Sequence, residues 1–223
     1  MTSNRARPLP ATRIPFINAD PRILVVCGSL SAASHTRTLV ELVADRLSEC
    51  AVTVDRFDLA EHPLAPADPA YYNAADAHPD ASVRTLSALA AAADGFVFGS
   101  PIYHNSYSGA LKNCLDHLSP EYFSYKPIGL VAHGGRWRSV QPCDHLRLVV
   151  RALGGTATTA QVVTADSDYV LADGAYRLTN RDVDARISAF VDELALYTRL
   201  FRPVRATVDA RAASASVALG RAE

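Results

Sequence analysis

Short apolar runs alternate along the chain with longer segments in which apolar residues recur at every third or fourth position. The short runs are rich in Val, Ile and Phe and are bounded by turn-forming residues, which predicts buried strands of a parallel sheet. The longer segments have the period of amphipathic helices. The predicted strands are 23–27, 51–59, 95–99, 127–132 and 157–163, and the predicted helices are 36–47, 81–93, 108–118, 146–153 and 183–201.

Strands that alternate with helices indicate a parallel sheet covered by helices on both faces, with right-handed crossovers. Five strands fit the order 2-1-3-4-5 better than the order of a six-stranded dinucleotide-binding fold. We therefore predict an α/β, flavodoxin-like three-layer sandwich with a five-stranded parallel sheet. In this order the ligand crevice opens outside the carboxyl ends of strands 1 and 3.

The predicted elements divide the chain into three parts. They are an N-terminal extension over 1–20, a flavodoxin-like domain over 21–202 and a flexible C-terminal tail over 203–223. The extension contains Arg and Pro but lacks the apolar segment of a secretory signal. Within the domain, the Pro-rich loop 61–80 is unusually long, and loops of this kind often border a functional site.

Composition excludes several classes of function. The formal net charge is −1, and no basic stripe of the kind that binds nucleic acid is present. No apolar run reaches the roughly 18 residues of a membrane span, so we expect a cytoplasmic protein. The four cysteines are far apart and form no CxxC pair, which favours free thiols in a reducing compartment and indicates no metal cluster.

The loop after the first strand has the sequence GSLSAASHT and leads directly into a helix. Its hydroxyl side chains belong to Ser29, Ser31, Ser34 and Thr36. The first N–H groups of a helix have no acceptor within the helix, and the helix dipole favours an anion beside them. Hydroxyls add neutral donors, so this loop predicts a phosphate pocket. It does not match the GxGxxG or GxxxxGK[ST] fingerprints.

Two further loops follow strands 3 and 4 and leave the same edge of the predicted sheet. The first has the sequence PIYHNSYSGALKNCLD from Pro101 onward, and its mixture of apolar, aromatic and amide groups suits a planar heterocycle. An ordinary turn with Tyr103 half-buried is an equally good interpretation. The second has the sequence HGGRWR, where two glycines permit close backbone approach and Arg136 borders an anion or is simply solvated.

Together these segments resemble the NAD(P)H-dependent FMN reductases, which include flavin reductases of two-component monooxygenase systems and related azo and quinone reductases. The resemblance covers most of 22–199 and is most specific over PIYHNSYSGALKNCLD. Its YSGALKN portion looks like the flavin reductases of sulfonate systems. The resemblance implies that the loop after strand 1 holds the FMN phosphate, that 101–106 wrap the isoalloxazine ring and that 133–136 touch its other edge.

The implied cofactor-binding residues are Ser29, Ser31, Ser34, Thr36, Pro101, Ile102, Tyr103, His104, Asn105, Ser106, His133, Gly134, Gly135 and Arg136. One position departs from the family, because Ser31 stands where these proteins commonly have Arg. Arg37 is the nearest cation that could compensate. The resemblance implies hydride transfer from NADPH or NADH to the flavin, for which we nominate no catalytic side chain.

The sequence thus predicts an NAD(P)H-dependent FMN oxidoreductase that either supplies reduced flavin to a partner monooxygenase or reduces a quinone or azo acceptor. The alternative is a non-catalytic flavodoxin-like electron carrier or redox sensor. A hydrolase with Ser29 as nucleophile is a third possibility, although no His–Asp pair at a recognisable spacing supports it. The resemblance also implies a homodimer or homotetramer, with the helix 108–118 near the interface.

Overall fold

The computed structural model of the chain describes residues 20–134, 136 and 140–219, and for 212–219 it describes the backbone alone. Five strands form one parallel sheet with the order β2-β1-β3-β4-β5, which confirms the predicted topology. The strands are β1 (Arg22–Cys27), β2 (Thr53–Asp58), β3 (Gly95–Pro101), β4 (Pro127–His133) and β5 (Thr156–Thr164).

Helices cover both faces of this sheet because alternate strand residues point in opposite directions. Helices α1 and α5 pack on one face with Ile23, Val25 and Cys27 of β1, and α2, α3 and α4 pack on the other with Leu24 and Val26. The helices are α1 (His35–Glu49), α2 (Ala81–Ala92), α3 (Gly109–Asp116), α4 (Gln141–Ala152) and α5 (Arg181–Leu219).

Two glycines shape this packing. A Cβ atom on Gly129 would lie 2.4 Å from Cζ of Phe190, so only glycine lets α5 approach β4 this closely. Gly154 follows α4 with φ +74°, a left-handed conformation that favours glycine and ends the helix as predicted.

A hairpin absent from our sequence prediction follows β5. It consists of β6 (Tyr169–Ala172) and β7 (Ala175–Leu178), which pair antiparallel. Asp173 and Gly174 join the strands with φ values of +53° and +76°. Two positive φ values are typical of the tight turn that favours Asp-Gly, so this dipeptide was the available sequence signal.

The flexible tail that we predicted from residue 203 is helical as far as Leu219, because α5 continues without interruption. Its Ala-rich composition favours helix. Arg202 Nε lies 3.2 Å from a carboxylate oxygen of Asp94, and Arg205 Nη1 lies 3.7 Å from the other oxygen, which ties this part of α5 to the domain. The division of the chain into extension, domain and tail stays a prediction.

The Pro-rich loop 61–80 is bonded to α3. The side chain of Asn113 accepts from the N–H of Ala67 and donates to the carbonyl of Ala65, both at 2.9 Å. His117 Nε2 lies 2.9 Å from the same Ala65 oxygen. Among the helices of the described residues, none is long and apolar enough to cross a membrane.

The cysteines are free thiols, as predicted, and Cys27, Cys114 and Cys143 are buried. Burial raises the pKa of each of these three thiols to about 12. They therefore stay protonated at neutral pH, which makes them poor nucleophiles and poor metal ligands.

A lysine is buried just before β4, at the amino end of the sheet. Lys126 is 3% exposed, and its Nζ donates to the carbonyl of Ala90 at 3.0 Å and lies 5.4 Å above the ring of Phe96. Burial lowers the pKa of Lys126 to about 7, and repulsion by Arg205 adds to the effect. The folded protein therefore holds this amine largely neutral above pH 7, whereas the unfolded chain keeps it protonated.

We expect Lys126→Met to flatten the dependence of stability on pH. Between pH 7 and 8.5 the unfolded chain binds one more proton at this residue, so the free energy of unfolding rises with pH by up to about 1.4 kcal/mol per unit. Methionine removes this contribution and the cost of burying the amine. Denaturant titrations across this range measure the slope. The exposed Lys112→Met is the control, and equal slopes for wild type and Lys126→Met would contradict the expectation.

Candidate functional site

The three predicted loops meet at the carboxyl edge of the sheet. Cys27 at the end of β1 pairs with Gly99 of β3, and Pro101 at the end of β3 pairs with His133 at the end of β4. The structure thus brings those predicted cofactor-binding residues that it describes to one edge of the sheet. Gly135 lies outside the described residues, and Arg136 is exposed in the loop after β4.

A buried serine joins the loop after β1 to the start of α3. Ser108 Oγ donates to the carbonyl of Gly28 at 2.7 Å and accepts from the N–H of Leu111 at 3.1 Å, which caps α3 as predicted. The N–H of Ser108 donates to Ser100 Oγ at 2.9 Å. A Cβ atom on Gly28 would lie 2.8 Å from the carbonyl oxygen of Gly99, so the loop after β1 touches the backbone of β3.

The hydroxyls of the predicted phosphate loop are clustered at the start of α1. Ser34 is the N-cap of α1, where its Oγ accepts from the N–H of Arg37 at 3.1 Å. The same Oγ donates to Ser29 Oγ at 2.8 Å. Ser29 and Thr36 are buried, whereas Ser31 is exposed and its Oγ donates to the carbonyl of Ala33 at 2.7 Å.

Arg37, the nearest cation that could compensate for Ser31, is not free to bind an anion in this loop. Its guanidinium forms an ion pair with Asp58 at the end of β2. The remaining donor, Nη1, bonds the carbonyls of Ser31 and Ala32, both at 2.9 Å. Arg37 therefore fixes the shape of the loop, and Asp58 neutralises its charge.

The loop after β3 forms a tight turn with an exposed aromatic ring. The N–H groups of Tyr103 and Ser106 each donate to the other residue's carbonyl at 2.9 Å. His104 and Asn105 between them have φ values of +50° and +63°, a conformation that few residues other than glycine adopt. Tyr103 is 54% exposed and is therefore not the half-buried filler of the ordinary-turn interpretation.

The loop after β4 is tied to both neighbouring strands. The carbonyl of His133 accepts from the N–H of Ile102, and the N–H of Gly134 donates to the carbonyl of Thr164, both at 2.9 Å. The His133 side chain is buried. Its Nδ1 lies 3.0 Å from Thr164 Oγ1, and its Nε2 lies 3.1 Å from Asp166 Oδ1.

Sequence reasoning missed a ring cluster that closes the site on the side of α1. The rings of His35 and His133 stack with centroids 4.4 Å apart and planes at 8°, and His35 also stacks on Tyr176 of β7 at 3.6 Å. Burial lowers the pKa of His133, and the adjacent His35 lowers it further. Burial likewise lowers the pKa of His35, so both imidazoles are neutral near pH 7.

The sequence contained part of the signal for this cluster. His35 stands inside the loop GSLSAASHT, between two residues that we did select, Ser34 and Thr36. Tyr176 follows the Asp-Gly turn of the unpredicted hairpin. His35 and His133 are about a hundred positions apart in the chain, so no local sequence pattern predicts the contact between their rings.

The order of the sheet and the three loops at its carboxyl edge define a flavodoxin-like α/β protein with a hydroxyl-rich loop at one end of this edge and an exposed aromatic turn beside it. The chain belongs to the NADPH-dependent FMN reductase family, whose model matches residues 21–169. Membership confirms the resemblance that the three loop segments predicted, and with it the oxidoreductase class.

Curated relatives match most of the chain. An FMN-dependent NADPH-azoreductase of Staphylococcus saprophyticus is 40% identical over 177 residues, which cover 79% of this chain and 94% of that protein. The enzyme of the same name from Staphylococcus aureus is 38% identical over 172 residues, covering 77% and 92%.

Solved structures share the fold at lower identity. An NADH:FMN oxidoreductase in its apo form superposes with a TM-score of 0.65 at 24% identity, covering 79% of this chain and 89% of that one. An oxidoreductase from Corynebacterium diphtheriae gives a TM-score of 0.63 at 24% identity, covering 80% and 97%.

We expect Ser108→Ala to lower the free energy of unfolding by about 2–4 kcal/mol. The substitution leaves the Gly28 carbonyl without its donor and removes the cap of α3, two losses of about 1–2 kcal/mol each. Urea titration measures the change. Ser48→Ala is the matched control, because Ser48 Oγ bonds only within its own helix, to the carbonyl of Ala44. Equal losses in the two variants would contradict a special role for Ser108.

Proposed function

We propose that this protein oxidises NADPH and passes the electrons by way of FMN to a small acceptor of azo type. The relatives named FMN-dependent NADPH-azoreductase are matched over 92–94% of their own length, which supports the same activity here. The observation that carries the proposal is the convergence of three loops, one rich in hydroxyls and one with an exposed ring, at a single sheet edge.

The loop at the start of α1 fits the phosphate of FMN. It offers the hydroxyls of Ser29, Ser34 and Thr36 beside the N–H groups of the first helical turn, and its residues 28–36 include no carboxylate. Such neutral donors at a helix N-terminus favour a phosphate monoester. A single pocket of this kind, without the GxGxxG fingerprint of a pyrophosphate, supports FMN rather than FAD.

The loops after β3 and β4 fit the flavin ring. The turn 103–106 is fixed by its two backbone bonds and carries the exposed ring of Tyr103, which can cover an apolar face. The N–H of Ile102, the residue before this turn, donates to the carbonyl of His133 and holds the loops after β3 and β4 side by side. A flavin ring bound by one of these loops therefore also contacts the other. We propose that residues 101–106 contact the ring and that His133, Gly134 and Arg136 border its other edge.

Bound at this edge, FMN would supply the redox chemistry, the transfer of a hydride from the nicotinamide and of electrons to the acceptor. The side chains of this protein contribute binding and orientation, which bring the reacting rings into contact in the required geometry. We assign no side chain as an acid or base. Reduction of an azo bond also consumes protons, and the exposed His104 and Asn105 leave this edge open to solvent.

Purified protein, NADPH, FMN and an azo dye test the proposal. We expect NADPH consumption that requires FMN, with bleaching of the dye in proportion to the NADPH consumed. Failure to bind FMN together with failure to oxidise NADPH would overturn it. Flavin binding without NADPH oxidation would support the alternative of an electron carrier or redox sensor.

A second candidate is the supply of reduced FMN to a partner monooxygenase. The specific observation is that Arg37, the cation nearest to the phosphate loop, is paired with Asp58. Neutral donors alone hold a phosphate less tightly than an added guanidinium would, and loosely held flavin suits an enzyme that releases it. Turnover that saturates with free FMN as substrate, in the absence of any dye, would favour this candidate.

We further propose a cytoplasmic homodimer or homotetramer. The resemblance that supports it also implies an interface near α3, although Leu111, Cys114 and Leu115 of α3 are buried within the domain. An interface on α3 would therefore use its exposed side, where Lys112 and Asp116 pair. Size-exclusion chromatography with light scattering measures the assembly, and a monomer at all concentrations would refute it.

We expect Ser31→Arg to tighten FMN binding by about tenfold. Ser31 is exposed, so an arginine fits without repacking, and its guanidinium adds a charge-assisted bond to the phosphate. Quenching of flavin fluorescence measures the dissociation constant. Ser31→Gln is the control, since it adds length without charge. Equal constants for the two variants would contradict a phosphate site at this loop.

A further inference from the structure

Three potential metal ligands meet where α1, β4 and β5 come together. His35 begins α1, His133 ends β4, and Asp166 lies in the turn after β5. One donor atom from each side chain lies within 4.8 Å of the others. Asp166 Oδ1 is 3.1 Å from His133 Nε2 and 3.9 Å from His35 Nδ1. Ligands bound at about 2.0–2.1 Å in a tetrahedron stand roughly 3.3 Å apart, so the spacing of His133 and Asp166 already matches an occupied site, whereas His35 must move closer to both.

We propose that His35, His133 and Asp166 bind a divalent transition-metal ion of the Zn²⁺ type. Two imidazole nitrogens and one carboxylate oxygen suit Zn²⁺, Co²⁺, Ni²⁺ and Cu²⁺ better than Mg²⁺ or Ca²⁺, which prefer oxygen ligands. Three protein ligands leave a fourth position of the tetrahedron for water or another small ligand. The proposal concerns binding and does not depend on the proposed reductase activity.

The surroundings of His133 are those of an oriented metal ligand. Its Nδ1 lies 3.0 Å from Thr164 Oγ1, which accepts from the hydroxyl of Tyr169 at 3.2 Å. Ligating histidines nearly always have their second ring nitrogen held in this way. The Thr164 hydroxyl can donate or accept, so the ring proton can sit on Nδ1 and free the Nε2 lone pair for the metal. The imidazole stays neutral, and the metal replaces the hydrogen bond to Asp166.

The carboxylate is available to a cation. Asp166 is half-exposed, with 53% of its side chain accessible, and the ion pairs described for it are those with the two imidazoles. The metal would therefore displace one hydrogen bond, with His133, and the longer contact with His35 at 3.9 Å. The two rings are stacked almost parallel, so coordination requires the His35 ring to turn away from the stack. His35 also stacks on Tyr176 at 3.6 Å, so this rotation separates it from both rings and turns it toward the 18% of its side chain that is exposed.

Binding can be measured directly on the full chain saturated with FMN and freed of metal by chelation. We expect isothermal titration with Zn²⁺ alone to give one ion per chain. Titration with Co²⁺ should give the visible absorption of a four-coordinate site. Neither readout requires NADPH or turnover, so loss of reductase activity and loss of metal binding are distinguishable.

Matched variants assign the ion to these residues. Asp166→Asn and His133→Asn should each weaken Zn²⁺ binding by at least about tenfold, and Thr164→Val by about tenfold through loss of ligand orientation. Asp173→Asn and His62→Asn are the controls, a carboxylate on the neighbouring hairpin turn and a histidine stacked on Phe57. Because Asp166 is half-exposed, Asp166→Asn tests the site without disturbing the core. Absence of saturable binding, or equal affinities in Asp166→Asn and Asp173→Asn, would overturn the proposal.

Discussion

The geometry of the site depends on the hydrogen bond from Ser108 Oγ to the carbonyl of Gly28, made at 2.7 Å in the interior. The register of a parallel sheet brings strand ends to one edge, but it does not fix the directions of the loops that follow. Ser108 fixes two of them at once, because the same oxygen caps α3 while it holds the loop after β1. This arrangement also requires glycine at position 28, since a Cβ atom there would collide with the carbonyl of Gly99.

The opposite side of the site is closed by aromatic contact rather than by backbone bonds. His35 stands between His133 and Tyr176, so α1, the end of β4 and the β6–β7 hairpin are joined through three rings. Such stacking is favourable for neutral rings, and the lowered pKa values of both histidines keep them neutral near pH 7. Protonation would place two like charges within one stack. The neutrality that stabilises the stack also leaves nitrogen lone pairs that can bind a metal.

The features predictable from sequence are those with a local period or a local stop signal. The five strands, their order and the loops at 28–36 and 101–106 follow from apolar runs, helical spacing and breakers such as Gly154. Apart from the β6–β7 hairpin, whose Asp-Gly turn was a local signal, the features that we missed depend on partners distant in sequence. The helical continuation beyond residue 203 is tied by Arg202 and Arg205 to Asp94, and the role of Arg37 is decided by Asp58 on another strand.

The pairing of Arg37 with Asp58 decides the electrostatics of the phosphate loop. The Arg37 guanidinium donates to the carbonyls of Ser31 and Ala32 and so fixes the shape of the loop. Its positive charge is balanced by the Asp58 carboxylate. A phosphate in front of the loop then meets hydroxyls and the dipole of α1, each of which contributes less than a full cation. If FMN binds as proposed, its tight retention requires contacts to the flavin ring. We propose that the turn at His104 and Asn105, which two backbone bonds fix in place, provides those contacts and so decides whether flavin stays bound or is released.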